Sequence, residues 1–265
     1  MIARSAAALR QAGSLLARAL RPEGLTDIEN GRRFGREHQL SSGPLKQARH
    51  WRRIESFALD LLPPMPLAGT LVVDVGANIG DFTAAVLAIE PRARVLAIEP
   101  VPATHAELAA RFAGDRRVRV DARAITSAPG TTTINVTENS VFASVLAPRD
   151  AIASEYTAGT LVTDVVEVPT ACLDDLVDEP VSILKIDVQG NEAALLRGAE
   201  RTLGRARAVL LEVTFVSHYE GDTTFPDLHR MMADRGWALR AMTRPHRGAT
   251  GTALWADACY VPTGR

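Results

Sequence analysis

"VVDVGANIGDFT", residues 72–83, runs apolar into an aspartate, turns through Gly76 and Gly80, and then takes up helical spacing. A strand that feeds a helix through a glycine-rich turn presents backbone amides at a helix N-terminus, the common seat of a nucleotide-bearing cofactor. The spacing Gly76-Ala77-Asn78-Ile79-Gly80 is not the GxGxxG of a dinucleotide loop. Gly76 would let the backbone approach a ligand without a Cβ, and Gly80 would let the helix pack close to the strand.

Outward from this turn, apolar runs alternate with helical patterns. "TLVVDV" precedes a helix over about 79–90, "RVLAIE" one over about 102–112, and "VRVDARAI" follows as a third strand. "VSILKIDV", a helix over about 192–203, "AVLLEVTF", a helix over about 225–235, "WALRAMT" and "ALWADACYV" complete the series. This alternation predicts a mostly parallel sheet of seven strands with helices on both faces. The last two strands, with no helix between them, form an antiparallel edge hairpin. "TTTINV" and "LVTDVVEV" bracket a Ser/Thr-rich stretch and read as a β insertion near 131–168. Two regions are expected: residues 69–265 as the cofactor-binding catalytic domain, and residues 1–68 as N-terminal helices with a glycine-interrupted lid over about 23–50.

Composition narrows the function. A net charge of -1 over 265 residues gives no field that would gather nucleic acid or an anionic membrane. No apolar stretch is long enough to span a bilayer. Cys172 and Cys259 lie far apart without metal-ligand spacing, which suits a reducing, cytoplasmic location. Residues 1–22, "MIARSAAALRQAGSLLARALRP", lack acids as a transit peptide does, but in a chain rich in Arg and Ala they read as an ordinary amphipathic helix. That helix could serve a homodimer contact. "NVT" at Asn135 carries no meaning in a cytoplasmic chain.

In an open sheet of this kind the ligand lies beyond the carboxyl ends of the strands. Those ends are acidic: Asp74, Glu99, Asp121, Asp187 and Glu212. Such an edge repels pyrophosphate and suits a ligand with a cation and ribose hydroxyls. Glu99 lies 23 positions after Gly76, near the interval of about 20 at which an acid meets a ribose.

"VVDVGANIGDFT", "AIEPVPATH" and above all "LKIDVQGNEAALLRGAE" resemble the FkbM family of S-adenosylmethionine-dependent methyltransferases, over about residues 70–215. The resemblance implies a Rossmann-like class I methyltransferase fold. It also implies a cofactor loop of Asp74, Gly76, Asn78 and Gly80 with Phe82 and Thr83 behind it, and Glu99 on the ribose. Ser140 and Ser144 match a family segment near the cofactor. Asp74 and Asn78 would offer acceptors to the ammonium of a phosphate-free cofactor. The family pattern usually carries Glu where this chain has Gln189, a departure that removes a negative charge.

The family also implies an acceptor oxygen, a hydroxyl on a sugar, glycan or other glycosylated or polyketide-like metabolite. Lys185 and Asp187 alternate in a strand and point to one face, where the transferred methyl would sit. Two arrangements could activate the hydroxyl. Asp187 and Glu212 could share a Mg²⁺ with His218 completing its shell, or His218 could be the general base. Trp51 and Tyr219 could stack on a sugar, with His38 and His50 entering from the lid. The competing readings are an NAD-type oxidoreductase, resting on the generic fold, and a non-catalytic cofactor-binding protein, resting on Gln189.

Overall fold

A computed structural model describes residues 61–149, 155 and 159–264. The N-terminal helices, the lid and Trp51, His38 and His50 lie outside the described residues. Strand β1 (Leu71–Val75) is buried along its whole length, as its Leu and Val side chains require when both faces of a parallel sheet are covered, and it takes Asp74 in with them. It pairs in parallel with β2 (Arg94–Ile98) on one side and β7 (Val181–Ile186) on the other. Beyond β2 lies β3 (Val118–Asp121), and beyond β7 lies β8 (Ala206–Thr214), both parallel.

The chain therefore leaves β1 toward β3 and returns to its other side at β7. The crevice between the carboxyl ends of β1 and β7 is the switch point where such sheets bind ligands. Strand β11 (Ala253–Pro262) runs antiparallel to β8 and separates it from β9 (Trp237–Met242), with short β10 (His246–Arg247) on the same outer edge as β9. The expected seven strands with an antiparallel edge are thus present, and β10 brings the described sheet to eight.

Alternate side chains of the central strands feed two cores. Val73, Val75, Ile98, Leu184 and Ile186 pack toward α3 (Glu192–Arg197), α4 (Glu200–Arg205) and α5 (Phe225–Asp234), through Leu195, Leu196, Leu203, Leu228 and Met232. Val72, Val95, Ala97 and Ile183 face α1 (Asp81–Ile89) and α2 (Pro102–Arg111), meeting Phe82, Val86 and Leu108. Pro102 at the start of α2 costs no hydrogen bond, since the first amides of a helix lack intrahelical acceptors.

Two expectations are corrected. "VRVDARAI" is not one strand: the chain breaks after Asp121, and β4 (Ala124–Ile125) joins β5 (Gly130–Thr137) and β6 (Val162–Ala171) in a separate three-stranded sheet. The cause is local, because Arg123 folds back on Asp121 and donates to it through its backbone N–H at 3.0 Å and its Nη2 at 2.6 Å. The expected helix over 192–203 is likewise two short helices parted at Gly198. There a Cβ would be driven into the carbonyl oxygen of Thr126.

Candidate active site

The turn after β1 is built from backbone strain and one buried acid. Gly76, Asn78 and Gly80 all have positive φ, at 77°, 47° and 85°. At Gly76 the demand is steric: a Cβ would be driven into the carbonyl oxygen of Asp187. At Gly80 it would meet Phe112 and Leu108 at 2.5 and 2.6 Å, so the close approach there is to α2 rather than to the strand. Glu99 ties the turn to β2, with Oε2 accepting from the Asn78 N–H and Oε1 from the Val101 N–H, each at 2.9 Å. Each carboxylate oxygen keeps a second lone pair for a ligand. Burial pushes the Glu99 carboxyl up to about 7, against the pull of those two amides.

Behind the turn, Asp74 is fully buried. Its Oδ2 accepts from Thr83 Oγ1 at 2.7 Å, and its Oδ1 faces Lys185 Nζ at 3.7 Å. Lys185 also lies 3.3 Å from Asp187 Oδ2 and over the Phe82 ring. One lysine thus serves two acids, and burial still raises the Asp74 carboxyl above its ordinary range.

Across the crevice, Gln189 Nε2 donates to Asp187 Oδ1 at 2.8 Å and to Glu212 Oε1 at 3.0 Å, while Tyr219 Oη donates to Gln189 Oε1 at 2.8 Å. Glu212 is raised well above the carboxylate range by burial and by the nearby Asp187. Asp257, opposite Glu212 in the β8–β11 register, is raised to about 6 for the same reasons. His218 is buried and its pKa lowered by burial, although the neighbouring Asp222 opposes the shift.

These groups surround one cavity of about 770 Å³, within the range of small-molecule sites. Gly76, Asn78, Glu99, Ser140, Ser144, Lys185, Asp187, Glu212 and His218 all line it. Asp74, Gly80, Phe82 and Thr83 form the layer behind its wall. Asp121 does not line it, and both of its oxygens are taken by Arg123. The Ser144 hydroxyl is also committed, donating to the Gln189 carbonyl at 2.5 Å and accepting from the Leu146 N–H. Ser140 Oγ accepts from Asn78 Nδ2 at 3.1 Å, which fastens the insertion to the turn.

Among the lining residues that escaped the sequence reading are Asp257, Trp255 and His246. The signal for Asp257 was an acid inside the otherwise apolar strand "ALWADACYV". The side chains give the Mg²⁺ arrangement no support. Among the described residues no group of three or more His, Cys, Asp or Glu is placed to hold a metal ion. Between Asp187 and Glu212 stands an amide donor instead.

Residues 74–238 match the family model described as "Methyltransferase FkbM domain", which spans more than half of the chain. The chain belongs to the FkbM methyltransferase family. This membership favours the methyltransferase reading over the oxidoreductase one. Similar solved structures include an FkbM methyltransferase from Methylobacillus flagellatus, at 17% identity and TM-score 0.47, over 74% of this chain and 45% of that one. Another is magnesium protoporphyrin IX methyltransferase from Synechocystis PCC 6803 with bound SAM, at 12% identity and TM-score 0.47, over 95% and 97%. The chain thus spans less than half the length of the Methylobacillus relative. A search of curated protein sequences finds no match.

The residues of this FkbM-family site fit its cofactor. Glu99, Asp187, Glu212 and Asp257 line the cavity around Lys185. The carboxyl oxygens of that wall can accept from a cationic group and from ribose hydroxyls. Among the described residues no helix is long and apolar enough to cross a membrane.

Proposed function

We propose that this FkbM-family methyltransferase methylates a hydroxyl oxygen on a sugar, glycan or glycosylated, polyketide-like metabolite. The observation that carries the reading is the lining of the cavity, which includes Asp187, Glu212, Asp257 and His218 together with the stacked rings of His246 and Trp255. Carboxylates accept from hydroxyls, and an aromatic face takes the C–H face of a sugar ring. Such an acceptor is a small molecule or oligosaccharide rather than nucleic acid, as the near-zero net charge also favours. A reducing, cytoplasmic setting suits the two free cysteines.

S-adenosylmethionine, when bound, supplies a methyl group on a positively charged sulfur. The protein's task is to hold an acceptor oxygen about 3 Å from that carbon and in line with the bond that breaks. Glu99 and the backbone of residues 76–78 would hold the ribose and amino-acid portions, and Asp187 and Glu212 would orient the acceptor. His218 is kept neutral near pH 7 by its burial and would take the hydroxyl proton, a contribution of roughly a hundred- to ten-thousandfold. We favour this base over the Mg²⁺ route because Asp187 and Glu212 already share a donor.

The test is methyl transfer from labelled cofactor across a panel of hydroxylated acceptors. The expected result is turnover with at least one sugar-bearing acceptor, lowered about a hundredfold or more in His218→Ala. The rate of the parent chain should rise with pH and level off below the ordinary histidine pKa of 6.5, because burial lowers that of His218. His218→Ala should lose this limb. Methylation confined to nitrogen or carbon acceptors, or an unchanged limb in the variant, would overturn the reading.

A further inference from the structure

Gln189 stands at φ 52°, in the left-handed region that non-glycine residues seldom occupy. The surrounding structure holds it there at several atoms. Its carbonyl accepts from Ser144 Oγ at 2.5 Å, its Oε1 accepts from Tyr219 Oη at 2.8 Å, and its Nε2 donates to Asp187 Oδ1 and Glu212 Oε1 at 2.8 and 3.0 Å. In this orientation the amide is satisfied at both ends, with Nε2 donating to each acid and Oε1 accepting from the tyrosine.

A cation bridging these two acids would sit about 2.0–2.1 Å from each oxygen, in the space where the Nε2 group now makes both bonds. The lone pair of an amide nitrogen is delocalised into its carbonyl and is not available to a metal.

We infer that Gln189 is a positioning residue whose side-chain amide takes the place of a bridging divalent cation, so that Asp187 and Glu212 are held for the acceptor by hydrogen bonds alone and the enzyme works without a metal. The role in turnover rests on the methyltransferase reading above. The exclusion of a cation does not, and the two can be tested apart.

The experiment uses the full chain as wild type, Gln189→Glu and Gln189→Met, with thermal melting to confirm that each is folded. Binding of Mn²⁺ is read from the electron paramagnetic resonance signal of the free ion. Cofactor affinity is read by calorimetry, and methyl transfer is followed in excess EDTA and in Mg²⁺. Wild type should leave Mn²⁺ free and turn over equally in both media. Gln189→Glu, which sets a third carboxylate between the other two, should take up Mn²⁺. Gln189→Met should keep its cofactor affinity within about twofold and lose about tenfold or more in kcat, the pattern of a lost positioning contact.

Mn²⁺ uptake by wild type, loss of wild-type turnover in EDTA, or absence of uptake by Gln189→Glu would overturn the inference. So would full kcat in Gln189→Met. If no form bound S-adenosylmethionine, the methyltransferase reading would fall while the Mn²⁺ arm still decided whether Gln189 excludes a cation.

Discussion

A side chain on residue 76 has no space to occupy. Gly76 is at φ 77°, and a Cβ there would be driven into the backbone of Asp187, so both the conformation and the contact demand glycine. Gly76→Ala is expected to destabilise the fold by about 2–4 kcal/mol in urea titration, because the obstacle is backbone that cannot swing away. A change under about 0.5 kcal/mol would show that the two strand ends are not locked together as described. The sequence announces that a glycine is needed here, but its partner lies more than a hundred positions along the chain, and no local pattern points to it. Glu99 was easier to read, since its interval from the turn is set by the length of one strand–helix–strand unit. Asp121 occupies an equivalent strand end and was misplaced by the same logic, because the arginine two residues on claims its carboxylate.

Elements were legible where hydrophobic period was long and uninterrupted. Strands β1, β7 and β8 are apolar runs that could hardly be anything else. Breaks imposed by tertiary contact were not. In "EAALLRGAERTLGR" the helical spacing continues through Gly198, yet the chain parts there because the Thr126 carbonyl approaches too closely for a side chain. Gly198→Ala should therefore cost about 1–3 kcal/mol by the same titration, whereas an uninterrupted helix would gain up to about 1 kcal/mol from losing its glycine. A stabilised variant would contradict the assigned break. The insertion was seen as strands at the sheet's edge. That it forms its own sheet, fastened over the site by Ser144 to Gln189 and by Asn78 to Ser140, depends on hydrogen bonds between distant segments.

Over the whole molecule, buried acids decide how stability responds to pH. Burial raises Glu99 and Glu192 to about 7 and Asp257 to about 6, so the folded chain keeps protons that the unfolded chain has released. Stability from such groups is fully present below the ordinary carboxylate pKa and is lost as pH rises through the folded values. His218, lowered by burial, acts the other way, but Asp74 and Glu212 are raised as well and add to the first effect. Melting temperature is expected to be higher at about pH 5.5 than at about pH 8, with the difference reduced in Glu192→Gln. A melting temperature that rose over this interval would contradict the burial described.

The acid-rich character of the site was readable from strand ends. The placement of Asp257 was not, because β11 enters between β8 and β9 and only the finished sheet sets it opposite Glu212. The most direct measurement of the central claim is a calorimetric titration of the full chain with S-adenosylmethionine and, separately, with NAD. The expected result is single-site binding of the former, weakened about ten- to a hundredfold in a folded Glu99→Ala variant, and none of the latter. Tighter binding of NAD, or unchanged affinity for S-adenosylmethionine without Glu99, would contradict the account.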